Sequence, residues 1–496
     1  MKKRKNVRIA RVASALLLLL TVLSSCGSQG AGRADESDFS LADLAVVEPE
    51  KKKSGIESFG GVALDDFIVL RENDSDNTVF VLEENADLLE LEIYKRNTYL
   101  SSEYGLSMTE NVTGDILTRA KAEIYSNSPS YDMLQFKGAS AAALITSGTL
   151  ADLAALSAFD QSLPGYHTSV IDSLSAKGHT FLLAGDATPS LMLNTSCVLL
   201  NTELEKKLGC NDSVKDLTGG AGLIEAAANG KFTVDMMLTC SRAMATLNGA
   251  SDEGIETSAS VASAFIKVTP EKALALYLGN GLKFYKIDKV TDEITPTAFG
   301  TEFGNAYLTL EKLFGIDETT EKFPEKSSAN SLFTVSDIRN LLALLKENSP
   351  FVPLPIPKYS ATAKSYSCCV SLDQTTFNAL PQTASDLEGR MEIINLIYAF
   401  SSDIKSAPQN LLYNNVLDGD SSESTVKKAE FAVKSFDVIT KSARADLISL
   451  FNYGDLPGFM EECIRARTTR NAFMTQGAIR AAAAVRGVEI SLEKIS

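Results

Sequence analysis

The chain has 496 residues, with 63 acidic against 47 basic side chains, a formal charge of −16 and a hydrophobic fraction of 45%. So acidic a chain, without a basic stripe, excludes nucleic-acid binding by counterion release. Its length exceeds what one hydrophobic core sustains, so two or three domains are expected.

The first element is a basic head (Lys2, Lys3, Arg4, Lys5, Arg8, Arg11) followed by an apolar run from Ala13 to Leu23. That run is too short for a bilayer span, which needs about 20 residues. The order of positive, apolar and small residues is that of a bacterial export signal over residues 1–25. Leu23-Ser24-Ser25-Cys26 resembles a lipobox. A diacylated Cys26 would give stable anchoring, where one acyl chain binds only marginally. Removing residues 1–25 takes away the six basic residues and no acidic one, moving the charge from −16 to −22. Residues 26–60, rich in turn formers and mixed charge, read as a flexible tether. The expected location is the outer face of the cytoplasmic membrane, held by the lipid alone.

Six further cysteines follow: Cys197, Cys210, Cys240, Cys368, Cys369 and Cys463. No CxxC occurs, which speaks against a structural zinc site, and no metal or cofactor is expected. Six cysteines allow 15 disulfide pairings and the sequence does not choose among them; buried free thiols fit equally well. Adjacent Cys368 and Cys369 would bridge only with strain.

The folded part begins near Gly60. Phe67–Leu70 and Thr78–Leu82 read as strands, residues 88–99 as a helix, Leu106–Thr109 as an alternating segment and residues 112–125 as a helix. Tyr131–Phe136 reads as a strand, closed by Lys137-Gly138, with a helix from Ala139 to Ile145. This strand–helix alternation argues for βαβ units and a largely parallel sheet. Residues 180–184 and 191–201 are further strand candidates. Helices are expected at 203–208, 222–229, 235–247, 261–265 and 271–278, with a strand at 282–287. Thr334 and Asp337 form a capping pattern ahead of Ile338, Leu341, Leu342 and Leu345. Phe351–Tyr359 is proline-spaced and cannot be a central strand; it reads as a connector. Ser385–Glu388 is a second capping pattern, and helices close the chain over about 425–450 and 470–486.

The order of several segments carries a family resemblance. They are Tyr94–Leu100 with Glu103–Leu106, Tyr131–Leu134, Gly148–Leu153, Leu193-Asn194 ahead of Leu200-Asn201, and Asn229–Met237. Val352–Tyr359 with Tyr366, Leu380–Thr383 and Asp386–Glu388 continue the series, and Phe436–Ile439 with Arg444–Leu447 end it. In this order, behind a lipobox, the chain resembles the extracellular solute-binding lipoproteins of bacterial ABC importers, family 1-like, carbohydrate-type and clostridial. The resemblance implies an α/β fold of type II with two lobes around a ligand cleft, joined by hinge crossings. The first lobe would take 61–188 and the return of about 355–405; the second, 189–354 completed by about 406–496. Implied partners are a small polar solute, a carbohydrate first of all, and separate ABC permease subunits, with the receptor a monomer.

On this template Arg71, Glu72 and Asn73, after the first strand, would offer hydrogen bonds to the solute. Lys137 and Gly138 would present backbone amides at a helix start. Asn194 lies in the first crossing. Tyr285, Tyr359 and Tyr366 are stacking candidates. The sequence departs from sugar-binding relatives in having no tryptophan. Where such relatives show Gly-Lys-Trp-Thr, it reads Gly230-Lys231-Phe232-Thr233.

Catalysis finds little support. His167 and His179 belong to no HxxxH or HExxH pattern, and there is neither a GxSxG elbow nor a P-loop. Asp65-Asp66 and Glu461-Glu462 read as solvated charge. The alternatives are a surface polysaccharide hydrolase, needing two carboxylates on one cleft, and a binding-protein fold reused as a sensor or adhesion module.

Overall fold

The computed structural model describes residues 67–79, 81, 87–247, 266–279, 281–288, 290–314, 331–466 and 468–495. Cys26, the signal, the tether, Asp65-Asp66 and the expected helix at 261–265 lie outside the described residues. Two four-stranded sheets organise the rest.

The first sheet contains β1 (Phe67–Glu72), β2 (Met108–Thr113), β3 (Met133–Lys137) and a strand from far along the chain, β11 (Thr376–Ala379), in the order β11-β3-β1-β2. β1 runs parallel to β2 (Phe67 opposite Met108) and to β3 (Val69 opposite Met133), while β11 is antiparallel to β3. Helix Leu88–Tyr104 begins with a capping box in which the Asp87 side chain accepts the Glu90 amide and Glu90 accepts the Asp87 amide; Gly105 ends it at φ 71°. On one face of the sheet Phe67, Val69 and Met133 pack against Met391 and Ile394 of helix Leu387–Ala399. That helix is capped by Asp386 rather than Ser385; Glu388 instead accepts the amides of Ser157 and Ala158. Among the described residues of 78–82 there is no strand. Val112 belongs to β2, and the following helix starts at Ile116.

The second sheet contains β4 (Ser196–Asn201), β5 (Ile266–Lys267), β8 (Phe333–Asp337) and β9 (Phe351–Leu354), ordered β5-β8-β4-β9. β4 is antiparallel to both neighbours, and β5 is parallel to β8. Thr334 therefore lies in a strand; Asp337 alone caps helix Ile338–Lys346, whose Ile338, Leu341, Leu342 and Leu345 are buried. The expected connector is an edge strand, the sheet position that tolerates Pro353. Residues 189–193 form a helical turn before β4 instead of extending it. The long helix expected at 425–450 ends at Lys441, where a two-residue strand, β12 (Ala443–Arg444), pairs with β10 (Cys368–Cys369). A hairpin of β6 (Tyr285–Ile287) and β7 (Ile294–Pro296) completes the strands.

The sheets are joined by neighbouring crossings: Thr195 bridges Val370, and the Ser371 amide donates to the Asn194 carbonyl. Residues 355–370 stay with the second sheet. Lys358 pairs with Thr233, and Ser367 Oγ donates to the Leu278 carbonyl. The return to the first sheet thus falls at Val370-Ser371, later than residue 355, because the proline-spaced strand runs on along its own lobe. After helix Leu387–Ala399 the chain crosses again, and helix Glu423–Lys441 lies on β9, with Ser435 Oγ bonded to the Pro353 carbonyl.

Candidate functional site

Between the two sheets lies a cavity of about 630 Å³, within the range that holds small-molecule ligands. The first lobe contributes Gly138, Ala139 and Ala142, the opening turns of helix Gly138–Thr146 at the carboxyl end of β3. The second contributes Ser196 at the start of β4 and Lys272, Ala275 and Leu278 from helix Pro270–Gly279. Residues 369–374 of the crossing form the floor, and Asp446, Ser449, Phe451, Asn452 and Glu461 close the far wall. In open α/β sheets, crevices at strand carboxyl ends are where ligands bind.

The polar groups are mostly pre-organised by one another. Lys272 Nζ meets Asp337 Oδ2 at 2.6 Å, while Asp337 Oδ1 caps its helix through the Asn340 amide. Lys137 Nζ donates to Gln374 Oε1 at 3.1 Å, and Gln374 Nε2 donates to Asp373 Oδ2 at 3.0 Å. Asp446 is the N-cap of helix Leu447–Phe451, accepting the Ser449 amide at 3.0 Å. Burial pushes its carboxyl up to about 6, against these hydrogen bonds. Glu461 forms an ion pair with Arg465 at 2.7 Å. Among the described residues Phe451, itself largely buried, is the one aromatic residue lining the cavity.

Of the residues singled out in the sequence, Gly138 lines the cavity and Lys137 reaches its floor through Gln374. The helix-start amides are already taken. Glu72 accepts the Lys137 amide at 2.8 Å and the Ser140 hydroxyl at 2.6 Å, and the Gly138 amide donates to the Thr375 carbonyl. Arg71 is buried in an ion pair with Glu110 at 2.7 Å, and exposed Asn73 donates its amide to the Thr113 carbonyl. Asn194 is buried in the crossing. Its Oδ1 accepts from the Arg339 guanidinium at 3.2 and 3.3 Å, and its Nδ2 donates to Thr375 Oγ1.

The tyrosines sit away from the cavity. The Tyr285 hydroxyl donates to the Ser173 carbonyl, tying the β6 hairpin to helix Thr168–Leu174. Tyr366 accepts the Phe232 amide at 2.7 Å beneath the Lys358 ammonium, and Tyr359 is 37% exposed. Phe232, at the tryptophan position of sugar-binding relatives, is fully buried against Phe333 and offers no stacking face. The histidines are also engaged elsewhere, His167 with the Thr440 carbonyl and His179 with Asp152.

Sequence reasoning missed Lys272, Ser449, Phe451 and Asn452, and took Glu461 for solvated charge. The available signal was Asp446 three residues before Ser449, an N-cap pattern opening a short apolar turn. Among the described residues no group of His, Cys, Asp and Glu could hold a metal ion, and no helix is long and apolar enough to cross a membrane.

The sugar-binding protein MalE from Xanthomonas citri shares this architecture at 10% identity, over 86% of this chain and 99% of its own, with a TM-score of 0.51. The chain has the two-lobed fold of maltose-type periplasmic solute-binding proteins. Other similar structures are the maltose-maltodextrin binding protein of Alicyclobacillus acidocaldarius (10% identity, 84% and 99% covered, TM-score 0.46) and the GacH receptor of Streptomyces glaucescens, solved with acarbose (14%, 86% and 98%, 0.44). No family model matches the chain, and no curated protein matches it.

Proposed function

We propose that this is a receptor that captures a small polar solute between its lobes and delivers it to an ABC importer, with Cys26 lipidated as its anchor to the outer face of the membrane. The observation that carries the reading is the 630 Å³ cavity, walled by both lobes and floored by a crossing between them. A ligand bridging two lobes favours the closed state by its differential affinity for closed over open, and two lobes on adjacent crossings can close by hinge bending. Hydroxyls, side-chain amides and both signs of charge beside an apolar wall suit a hydroxyl-rich solute such as a carbohydrate. Asp446 needs no catalytic role to explain its raised pKa, since burial raises it against the hydrogen bonds of its cap.

The test is thermal melting of residues 27–496 against maltodextrins, monosaccharides, sugar alcohols, amino acids and peptides. A ligand that binds only the folded form at 100-fold over its Kd stabilises by about 2.7 kcal/mol. A sugar that raises the melt and is recovered intact by mass spectrometry supports the receptor. A sugar cleaved in the tube transfers the case to the hydrolase, and no shift with any of them removes solute capture.

A further inference from the structure

Disulfides persist in the compartment to which an exported protein goes. All six described cysteines are buried, with free thiols. Their surroundings separate the fifteen pairings. Cys210 begins the short helix Cys210–Ser213, and Cys240 lies in helix Val234–Leu247, which packs against it. Both are fully buried, and the Cys240 thiol donates to the Cys210 carbonyl oxygen at 3.9 Å. The other thiols have different partners. Cys368 Sγ accepts the Ser442 hydroxyl at 3.3 Å, Cys369 donates to the Val370 carbonyl, and Cys463 interacts with Thr468. Cys197, in β4, feels Cys368 only electrostatically. Among the described residues Cys240 is the cysteine whose thiol reaches another cysteine far from it in sequence, Cys210, across two packed helices.

We infer that Cys210 and Cys240 are joined by a disulfide in the exported protein. This inference rests on the export reading for its oxidant, a small-molecule or protein disulfide outside the membrane. One protein thiolate attacks that disulfide, giving a mixed disulfide and releasing one thiolate. The second protein thiolate then attacks the protein sulfur, closing the Cys210–Cys240 bond and releasing the other. Two protein thiols are oxidised, one carrier disulfide is reduced to two thiols, and the two protons pass to the leaving thiolates. The neighbouring Cys210 side chain first, and burial second, push the Cys240 thiol above its ordinary range, and a protonated thiol is a poor nucleophile. The exchange therefore takes place during folding, before the helices close over the pair. The bond would clamp both ends of segment 210–240, which carries Phe232 and helix Leu223–Ala228 against helix Glu423–Lys441.

The full chain is produced with its signal in a Gram-positive host, denatured without reductant and alkylated with iodoacetamide. The same sample is read by mass for acylation at Cys26. The acylated chain should take up four carbamidomethyl groups, rising to six after reduction, and should give a Cys210–Cys240 cross-linked peptide 2 Da lighter than its two halves. Six groups without reduction, or a cross-link between other cysteines, overturns the inference. If the chain is not acylated or exported, it is the compartment that has failed. Reduced 27–496 is then refolded with oxidised glutathione, and absence of the 210–240 peptide there overturns the pairing independently. The Cys210→Ser variant supplies the control: reductant should lower the melting temperature of the oxidised wild type by several degrees and leave that of the variant unmoved.

Discussion

The two walls of the cavity are built from different materials. The first lobe presents Gly138, Ala139 and Ala142, so its surface is backbone and methyl groups, and its charged neighbours Arg71 and Glu72 are spent on Glu110 and on the helix start. The facing wall presents side chains with reach and charge: Lys272 of the second lobe, and Ser449, Asn452 and Glu461 of the C-terminal segment. One wall sets shape and closeness of approach, and the other supplies the directional contacts. Substitutions on the first should therefore act on stability and closure, and those on the second on which solute is held.

The largest effect is expected at Gly138. A Cβ there would run into the Leu372 carbonyl oxygen and meet the Phe377 ring at 3.1 Å. Gly138→Val should cost about 3 kcal/mol in urea unfolding, and an unchanged midpoint would remove the close-approach account of that wall. On the opposite wall the Asp446 carboxyl titrates near 6 when folded, against an ordinary 3.8. Its folded value is raised, so the fold is penalised above pH 6 and the penalty disappears as pH falls below the unfolded value. Stability should rise by on the order of 2–3 kcal/mol between pH 7 and about pH 4 from this group. Asp446→Asn, which keeps a good N-cap, should flatten that rise; a wild-type profile that already falls from pH 7 to 5 would contradict it.

Tyr366→Phe leaves the buried Phe232 amide without its acceptor and should cost about 1–2 kcal/mol by denaturation, with solute affinity unchanged because Tyr366 is off the cavity. Phe451→Leu removes the aromatic face at the cost of some buried volume, so calorimetry should show about a tenfold weaker Kd for the solute, beside a stability loss of about 1–2 kcal/mol. Equal binding by both would mean that the wall selects without its aromatic face. The smallest change belongs to Tyr359→Ala: its exposed ring should matter by less than about 0.5 kcal/mol in melting and not at all in binding.

What could be read beforehand follows the same division. Two of the three parallel strands of the first sheet, β1 and β3, were legible because they are mostly buried and appear as short apolar runs, Phe67–Leu70 and Tyr131–Phe136, while exposed, polar β2 was not. β8 was hidden because its Asp337, caught between strand and helix, made Thr334 resemble a cap. In the run at 78–82, which has strand composition, the described residues Thr78, Val79 and Val81 join no ladder. The two-lobed fold was reached through the order of weak motifs, none of which is diagnostic alone. The cavity was mostly illegible, because it joins residues near 138, 196, 272, 370 and 450, and no local period links them. Arg71, Glu72 and Asn194 are the polar residues that the strand ends and crossings suggested. The fold uses Glu72 and Asn194 to satisfy helix and hinge hydrogen bonds, a demand that competes with ligand for the same positions.

The single aromatic ring on the cavity wall has an optical consequence. The chain contains no tryptophan, so its ultraviolet emission is that of tyrosine, and the tyrosines tested here as stacking candidates lie outside the cavity. Phe451→Trp would install one indole, excited selectively near the red edge of protein absorption, in the largely buried side of the cavity wall. Its emission maximum would shift as water leaves the wall. A full titration of occupancy could then be followed in one cuvette without a labelled ligand.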